Sequence, residues 1–326
     1  MRWGGGASAP AGYPDRIAAL GDTDLDVFGL CLGGNVFGWT LDEERSFAVL
    51  DAYVEAGGNF IDTADIYGRR GVGPGSSEEI IGRWIAARGN REGLVIATKL
   101  GMGQDPPGLS ADAIERGAAR SLERLGIDTI DLYYAHRDDP DTPLEETLGA
   151  FQRLIDAGSI RYAAASNYSA ERLEQALELG EREGLALYVA LQPHYNLMER
   201  REYEGELQAL CLAHGLACLP YYALAGGFLT GKYRRDGPRP NSPRASGVLE
   251  DYGNDRGWAV IETVEAIAAE HESTVTAVAL AWLSAQPTVL APIASATSPE
   301  QLRDAIASTD LQLTTAELDR LATVSG

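Results

Sequence analysis

Eight short apolar runs, each followed by a longer segment of helical period, fill the chain from residue 29 onward. This alternation is typical of βα units, in which each helix returns the chain so that the next strand lies parallel to the last. Eight units in one chain predict a closed (β/α)8 TIM barrel of the α/β class. The predicted strands are Gly29–Gly33, Asn59–Asp62, Leu94–Lys99, Ile130–His136, Ile160–Ser166, Tyr188–Gln192, Ala217–Tyr222 and Val289–Ile293.

A closed barrel is favoured over an open dinucleotide-binding sheet because no G-x-G-x-x-G motif follows any predicted strand. Three additions surround the repeat. A hairpin cap is expected from Ile17–Ala19 and Leu25–Phe28, a lid or binding loop from the Pro-, Gly- and Arg-rich stretch 234–255 (Arg234 to Asp255), and a tail helix from Leu311–Val324. We expect one domain, residues 1–326, with residues 1–14 flexible.

The charge balance excludes two classes of partner. With 27 basic and 48 acidic residues, the net charge of −21 repels the phosphates of nucleic acids and anionic membrane surfaces. No apolar run approaches the roughly 18 residues of a membrane span, and the first residues lack the order of a signal peptide. Cys31, Cys211 and Cys218 show no metal-ligand spacing. We expect a cytoplasmic protein without a metal.

Four ionisable residues stand at or just beyond three consecutive strand ends. Asp62 and Tyr67 follow the second strand, Lys99 closes the third and His136 closes the fourth. Singly, such residues are more often helix caps, surface tyrosines, solvated strand ends or core histidines. Adjacent parallel strands, however, would bring all four together at the carboxyl-terminal face of a barrel, where catalytic residues lie.

The four residue types suit the reduction of a carbonyl group. A carbonyl that accepts hydride must also be protonated, and neutral tyrosine is a weak acid. We expect the Lys99 ammonium to lower the pKa of Tyr67, and Asp62 to keep that lysine charged. His136 can orient the substrate oxygen or take part in a proton relay.

These segments resemble the aldo-keto reductase superfamily. Ile61-Asp62-Thr63-Ala64 through Tyr67-Gly68, Ala97-Thr98-Lys99 and Asp131 to His136 are similar to its Asp, Tyr, Lys and His tetrad, in the same order, and the similarity extends from about Arg16 to the end of the chain. The resemblance implies an NADPH-dependent reductase of aldehydes or ketones, with Tyr67 as the general acid and a small carbonyl compound as the substrate.

The resemblance also implies how a nicotinamide cofactor would be held. Ser166, Asn167 and Gln192 correspond to the carboxamide-binding residues, and Tyr221 to the ring on which the nicotinamide stacks. Candidate substrate walls are Phe37, Trp39 and Tyr134. The remaining expected cofactor contacts are Gly34, Asn35, Tyr222, Ala223, Leu224, Ala225, Gly227, Lys232, Arg244, Ser295, Thr297, Gln301 and Asp304.

The sequence departs from the family pattern in three places. Tyr222-Ala223 replaces a common Ser-Pro, and Ala305 replaces an Asn that commonly contacts adenine. No Arg or Lys follows the eighth strand, where the family often binds the 2′-phosphate of NADPH. Pro243-Arg244-Ala245 resembles the Ser-Arg-Ala segment of the channel-β branch. We therefore expect Arg244, with Thr297 and Gln301, to bind this phosphate and to favour NADPH over NADH.

Two other functions fit parts of the pattern. The potassium-channel β subunits share the barrel and the tetrad but serve largely as cofactor-binding regulatory partners, a role in which turnover is slow or absent. A barrel isomerase or aldolase would use Lys99 as a Schiff-base nucleophile, which requires a lysine with a depressed pKa. Asp62 argues against that second role.

Overall fold

The computed structural model describes residues 16–103 and 107–326, so the predicted flexible segment 1–14 lies outside the described residues. The expected hairpin is present: β1 (Ile17–Ala19) pairs antiparallel with β2 (Asp26–Phe28). Asn59 directly precedes the second barrel strand. Its side chain accepts a hydrogen bond from Phe28 N–H and donates one to Asp26 C=O, both at 2.8 Å. The hairpin therefore covers the amino-terminal end of the barrel, opposite the predicted site.

Eight parallel strands follow in the order predicted for a barrel, with each strand next to its successor in the chain. Closure comes from Cys218 N–H to Thr288 C=O at 2.8 Å and from Leu290 N–H to Cys218 C=O at 2.9 Å. The strands are β3 (Cys31–Gly33), β4 (Phe60–Asp62), β5 (Val95–Leu100), β6 (Ile130–Ala135), β7 (Ile160–Ser166), β8 (Tyr188–Gln192), β9 (Ala217–Cys218) and β10 (Ile293–Ala294).

Eleven α-helices are present among residues 16–103 and 107–326, and they alternate with the barrel strands apart from the additions near the end of the chain. They are α1 (Glu43–Glu55), α2 (Ser76–Arg88), α3 (Ala111–Leu125), α4 (Leu144–Asp156), α5 (Ala170–Glu183), α6 (Glu206–Ala213), α7 (Ala245–Tyr252), α8 (Asp255–Glu270), α9 (Val275–Ser284), α10 (Pro299–Ile306) and α11 (Thr315–Ser325).

The helix boundaries follow local chemistry that is readable in the sequence. In α3, the Ser110 hydroxyl accepts a hydrogen bond from Ala113 N–H, and Gly126 ends the helix in the left-handed conformation. Ile114 and Ala118 are fully buried on the face predicted for them. The face packs against the barrel because apolar residues three and four apart share one side of a helix.

The seventh and eighth barrel strands differ most from their predicted bounds. The seventh ends at Cys218 instead of Tyr222, because Pro220 has no N–H to donate and Tyr222 adopts a positive φ of 56°. The eighth begins at Ile293, after Pro292, whereas Val289 forms only an isolated bridge to Cys218. Beyond Cys218 the chain still contacts its neighbours through single backbone hydrogen bonds, from Tyr221 N–H to Pro193 C=O at 3.0 Å and from Ile293 N–H to Pro220 C=O at 2.9 Å.

The stretch 234–255 and the tail helix also differ from their predictions. The stretch 234–255 contains the helix α7, so it is not loop throughout. The tail helix starts at Thr315 instead of Leu311, because Thr314 and Glu317 form a reciprocal capping box there.

A close approach of α2 and α3 gives a test of the packing. A Cβ placed on Gly82 would lie 2.5 Å from the carbonyl oxygen of Arg124 and 2.6 Å from that of Leu125. We expect Gly82→Ala to lower the free energy of unfolding by about 1–3 kcal/mol, because backbone atoms cannot yield to the added carbon. Urea unfolding measures the change.

Gly149, inside α4, is the matched control. Its added Cβ would meet only the Arg153 side chain at 3.6 Å. Gly149→Ala should therefore leave stability unchanged or raise it by up to about 1 kcal/mol, since alanine is the better helix former. Equal shifts in both variants would contradict the packing argument.

Candidate active site

A buried ion pair lies at the carboxyl-terminal end of the barrel. Lys99 Nζ lies 2.6 Å from Asp62 Oδ2 and 2.7 Å from the carbonyl oxygen of Thr63. Both side chains are buried: Lys99 has no exposed surface, and only 2% of the Asp62 side chain is exposed. The pairing of β4 with β5 places these strand ends side by side. Gln192 donates to the other carboxylate oxygen at 3.0 Å, so both oxygens of Asp62 have a partner.

Lys99 is held in its charged form. Burial alone would favour the neutral amine, but the Asp62 carboxylate, together with Tyr67 and Cys31, outweighs burial and keeps the pKa of Lys99 above its usual value. A Schiff-base lysine needs the opposite shift. The structure therefore disfavours the isomerase or aldolase alternative.

Tyr67 lies beside this lysine. Its hydroxyl oxygen lies 3.5 Å from Lys99 Nζ, and the ammonium lies 5.0 Å from the centre of the tyrosine ring. Burial raises the pKa of Tyr67, and the opposing effect of Lys99 only reduces that rise. The effect of Lys99 thus has the expected direction, but burial outweighs it and the pKa of Tyr67 lies above its usual value. The hydroxyl consequently stays protonated at neutral pH, in the form that a general acid requires.

His136 completes the group of four. Its imidazole meets the Tyr67 ring edge-on, with ring centres 6.1 Å apart, and only 8% of the residue is exposed. Burial lowers the pKa of His136 well below its usual range, and the charge of Lys99 adds to the effect. The imidazole is therefore neutral at neutral pH. Its buried Nδ1 has no hydrogen-bond partner within the described ranges.

The three residues expected to bind the carboxamide form one hydrogen-bonded chain. The Ser166 hydroxyl donates to Gln192 C=O at 2.9 Å, and the Asn167 amide donates to the Ser166 hydroxyl at 3.0 Å. Asn167 adopts a positive φ of 56°, a conformation that asparagine tolerates better than most residues. Because Gln192 also binds Asp62, this chain connects the predicted cofactor residues to the buried ion pair.

Tyr221 lies at the end of the same chain, where its hydroxyl donates to Asn167 Oδ1 at 2.8 Å. The imidazole of His194 stacks on its ring, with centres 5.3 Å apart and planes 15° apart. Sequence reasoning missed His194. Its position two residues after Gln192, beyond the sixth barrel strand, was the available signal. The histidine holds the Tyr221 ring from one side.

The segment after Tyr221 is built from unusual backbone. Tyr222, Ala225 and Gly227 all have positive φ angles, of 56°, 48° and 99°, which non-glycine residues rarely adopt. Ala223 and Ala225 are buried, whereas Leu224 is partly exposed. A Cβ on Gly227 would lie 2.8 Å from Lys232 Nζ, so the ammonium rests directly on this backbone.

A second cluster forms around the end of β10. Ser295 donates to Asn35 Oδ1 at 2.9 Å, beside the buried backbone of Gly34. The backbone N–H and the hydroxyl of Thr297 both donate to Gln301 Oε1, at 3.0 and 2.9 Å. Asp304 is exposed on α10.

An arginine that the sequence did not point to reaches this cluster. Arg45, near the start of α1, donates from Nη2 to the carbonyl oxygen of Thr297 at 3.2 Å. The two residues are 252 positions apart in the chain. Helix α1 packs against α10, and this packing supplies the cation that the sequence lacks immediately after the eighth strand.

Arg244, the predicted phosphate ligand, lies beside Trp39. Its guanidinium lies 5.0 Å from the centre of the Trp39 ring. Burial lowers the pKa of Lys232, and the charge of Arg244 lowers it further. Thr297 and Gln301 bind each other, and the carbonyl oxygen of Thr297 also accepts a hydrogen bond from Arg45. Arg244 thus belongs to the Lys232 side of the site.

Of the three expected substrate walls, only Trp39 is exposed in part. Phe37 and Tyr134 are fully buried. Tyr134 lies inside the barrel, where Lys99 Nζ is 5.7 Å from its ring centre, because it is paired with Lys99 in the β5–β6 register and points the same way. Phe37 packs into the core between sheet and helices. Neither residue forms an open wall.

Two further features are absent from the described part of the chain. Within residues 16–103 and 107–326, no group of three or more histidine, cysteine or carboxylate side chains is arranged to hold a metal ion. No helix in that part of the chain is long and apolar enough to cross a bilayer.

Comparison with known proteins decides the family. A sequence model of the Aldo/keto reductase family matches residues 29–325, which include all eight barrel strands. The chain belongs to the aldo/keto reductase family. As a member, it is a carbonyl oxidoreductase that depends on a nicotinamide cofactor.

Individual relatives carry several names. The chain is 34% identical to a probable voltage-gated potassium channel subunit beta of Arabidopsis thaliana, over 94% of this chain and 95% of that protein. It is 33% identical to the NADP(+) aldo-keto reductase yakc of Schizosaccharomyces pombe, with 86% and 80% covered. It is 31% identical to the NADH-specific methylglyoxal reductase of Escherichia coli, with 91% and 94% covered.

The ionisation state of His136 can be measured without turnover. We expect its imidazole to titrate well below the ordinary histidine pKa of about 6.5, because the buried ring loses hydration when charged. Nitrogen-15 NMR of the four histidines across pH 5–8, with His136→Gln to assign the signal, tests this. A midpoint at or above that ordinary value would show that the ring is charged in the site.

Proposed function

We propose that this protein reduces an aldehyde or ketone to an alcohol with NADPH, and that Tyr67 donates the proton. The observation that carries the proposal is the Tyr67 hydroxyl at 3.5 Å from the buried ammonium of Lys99, beside a neutral imidazole. The phenolate left after proton donation would be stabilised by that ammonium. Asp62 and the carbonyl oxygen of Thr63 hold the ammonium in place, and Gln192 in turn binds Asp62.

The neutral imidazole of His136 suits a positioning role. Beside the Tyr67 ring, an N–H of the ring can donate a hydrogen bond to the carbonyl oxygen of the substrate without competing as an acid. Tyr67 then gives its proton to the same oxygen as the carbonyl carbon is reduced. A bound NADPH supplies the hydride for that carbon.

The chain's residues suit a dinucleotide. Lys232 and Arg244 are cations near the positive-φ segment at Tyr222–Gly227, whose glycines allow close approach of a pyrophosphate. A Cβ on Gly33 would lie 2.6 Å from the Ser295 hydroxyl, so the backbone at the end of β3 is equally tight. Tyr221, backed by His194, presents an aromatic surface for the nicotinamide ring.

The preference for NADPH rests on Arg45. Relatives include proteins named for NADP(+) and for NADH, so the preference must come from the residues of this chain. Arg45 donates a hydrogen bond to the carbonyl oxygen of Thr297. The backbone N–H and the hydroxyl of Thr297 both donate to the side-chain oxygen of Gln301. An arginine and two such donors suit a phosphate. We assign the 2′-phosphate to this group and the pyrophosphate to Lys232 and Arg244.

The acid role of Tyr67 has a direct test. Tyr67→Phe removes the hydroxyl and should lower turnover about 10²-fold or more, while NADPH binding stays nearly unchanged. Steady-state reduction of simple aldehydes and fluorescence titration with NADPH measure the two quantities. Tyr162→Phe, which alters a hydroxyl bound to Asp24 in the hairpin cap, is the matched control and should retain activity. Near wild-type turnover in Tyr67→Phe would end the assignment.

The two arginines can be separated by the cofactor that each affects. Arg45→Ala should weaken NADPH binding roughly 10-fold and leave NADH unchanged, since a charge-assisted contact contributes about 1.5–3 kcal/mol and this arginine is exposed. Arg244→Ala should weaken both cofactors, because both contain the pyrophosphate.

Arg303→Ala provides the control for the cofactor experiment. Arg303 is an exposed arginine of α10 that pairs with Glu300 on its own helix, so its loss should change neither affinity. Equal losses of NADPH and NADH affinity in Arg45→Ala would contradict the assignment of the 2′-phosphate.

A further inference from the structure

Two arginines share one aromatic ring at the mouth of the barrel. The guanidinium of Arg70 lies 5.4 Å from the centre of the Trp39 ring, and that of Arg244 lies 5.0 Å from it. They come from different loops, those after β4 and β9. The closeness of two like charges needs an explanation, because it costs free energy unless an anion lies between or beside them.

Among the residues that the structure describes, neither arginine has an acidic partner. Most arginines of this acidic chain are paired with carboxylates, as Arg83 is with Glu43 and Arg88 is with Asp51. Within the described ranges, no ion pair joins a carboxylate to Arg70 or Arg244. Burial lowers the pKa of Arg244, and the neighbouring charge of Arg70 lowers it further. The mouth therefore carries uncompensated positive charge in a protein whose net charge is −21.

The proposed cofactor accounts for Arg244 but not for Arg70. Arg70 follows the candidate acid Tyr67 by three residues in the same loop. Backbone hydrogen bonds fix this loop: Gly75 N–H donates to Tyr67 C=O at 3.1 Å, and Val72 N–H donates to Gly38 C=O at 2.8 Å. Arg70 is thus held between the Trp39 segment and the loop that carries the candidate acid Tyr67.

We propose that Arg70 binds an anionic group of the substrate, so that the preferred substrates are aldehydes or ketones that bear a carboxylate or a phosphate. The proposal rests on the proposed reductase function. The planar guanidinium offers paired N–H donors to either anion, and its stacking on Trp39 limits the freedom that would be lost on binding. The local positive charge also draws anions to the mouth of an otherwise acidic protein.

The test compares two aldehydes that differ in charge. The holoenzyme with NADPH is given 4-carboxybenzaldehyde, which is anionic, or 4-nitrobenzaldehyde, which is neutral, and kcat/KM is measured for each. The wild type should prefer the anionic aldehyde. Arg70→Gln should lower kcat/KM for 4-carboxybenzaldehyde about 10-fold or more and leave that for 4-nitrobenzaldehyde nearly unchanged. Arg70→Lys, which keeps the charge, should restore part of the loss.

Arg69→Gln is the matched control: Arg69 is exposed in the same loop, as Arg70 is, but only Arg70 lies over the Trp39 ring, so Arg69→Gln should affect neither aldehyde. Equal losses for both aldehydes in Arg70→Gln would mean that Arg70 only supports the loop, and unchanged values would mean that it does not bind substrate. Either result overturns the proposal.

Absence of turnover with both aldehydes in the wild type would count against the reductase function itself. Binding of the product alcohol 4-(hydroxymethyl)benzoate to the holoenzyme, measured by calorimetry, then decides the role of Arg70. Weaker binding to Arg70→Gln than to the wild type supports an anion site there, and equal binding overturns it.

Discussion

The ion pair between Lys99 and Asp62 is the interaction on which the site depends. Burying two charges costs more free energy than most ion pairs return, and replacing such a pair with apolar residues often stabilises a protein. This pair is tolerated because its atoms are well satisfied: Thr63 and Gln192 bind the groups that the pair leaves open. A costly buried charge at the open end of a barrel is explained by chemistry better than by stability.

The barrel makes that arrangement possible. Parallel strands present their carboxyl ends at one face, so residues far apart in the chain reach one point without any strained connection. The hairpin closes the opposite end, and Tyr134 fills the space beneath the lysine. Water is thereby kept from the ion pair, and each charge acts more strongly on Tyr67 and His136 than it would in solvent.

Electrostatics divide the mouth into regions with different tasks. Burial keeps both Tyr67 and His136 neutral. It raises the pKa of the Tyr67 hydroxyl, which retains its proton, and lowers the pKa of the His136 imidazole, which does not take up a second proton. Around them lie Lys232, Arg244 and Arg70, which carry positive charge. An acidic protein with a cationic mouth repels polyanions in general and still offers a place for a small anionic ligand.

The sequence by itself determined the barrel, because periodicity, caps and turn residues are local signals, and it determined the group of four, because strand-end residues must converge in any parallel barrel. It predicted Ser110 as a cap, and it predicted Asp62 beside Lys99, as observed. Only the tertiary structure decided that Arg45 reaches Thr297, that His194 stacks on Tyr221 and that Arg244 lies on Trp39. It also decided that burial outweighs Lys99 in setting the pKa of Tyr67. These outcomes depend on how the helices pack and how the loops fold over one another. The spacing of residues along the chain does not show which distant side chains this packing brings into contact.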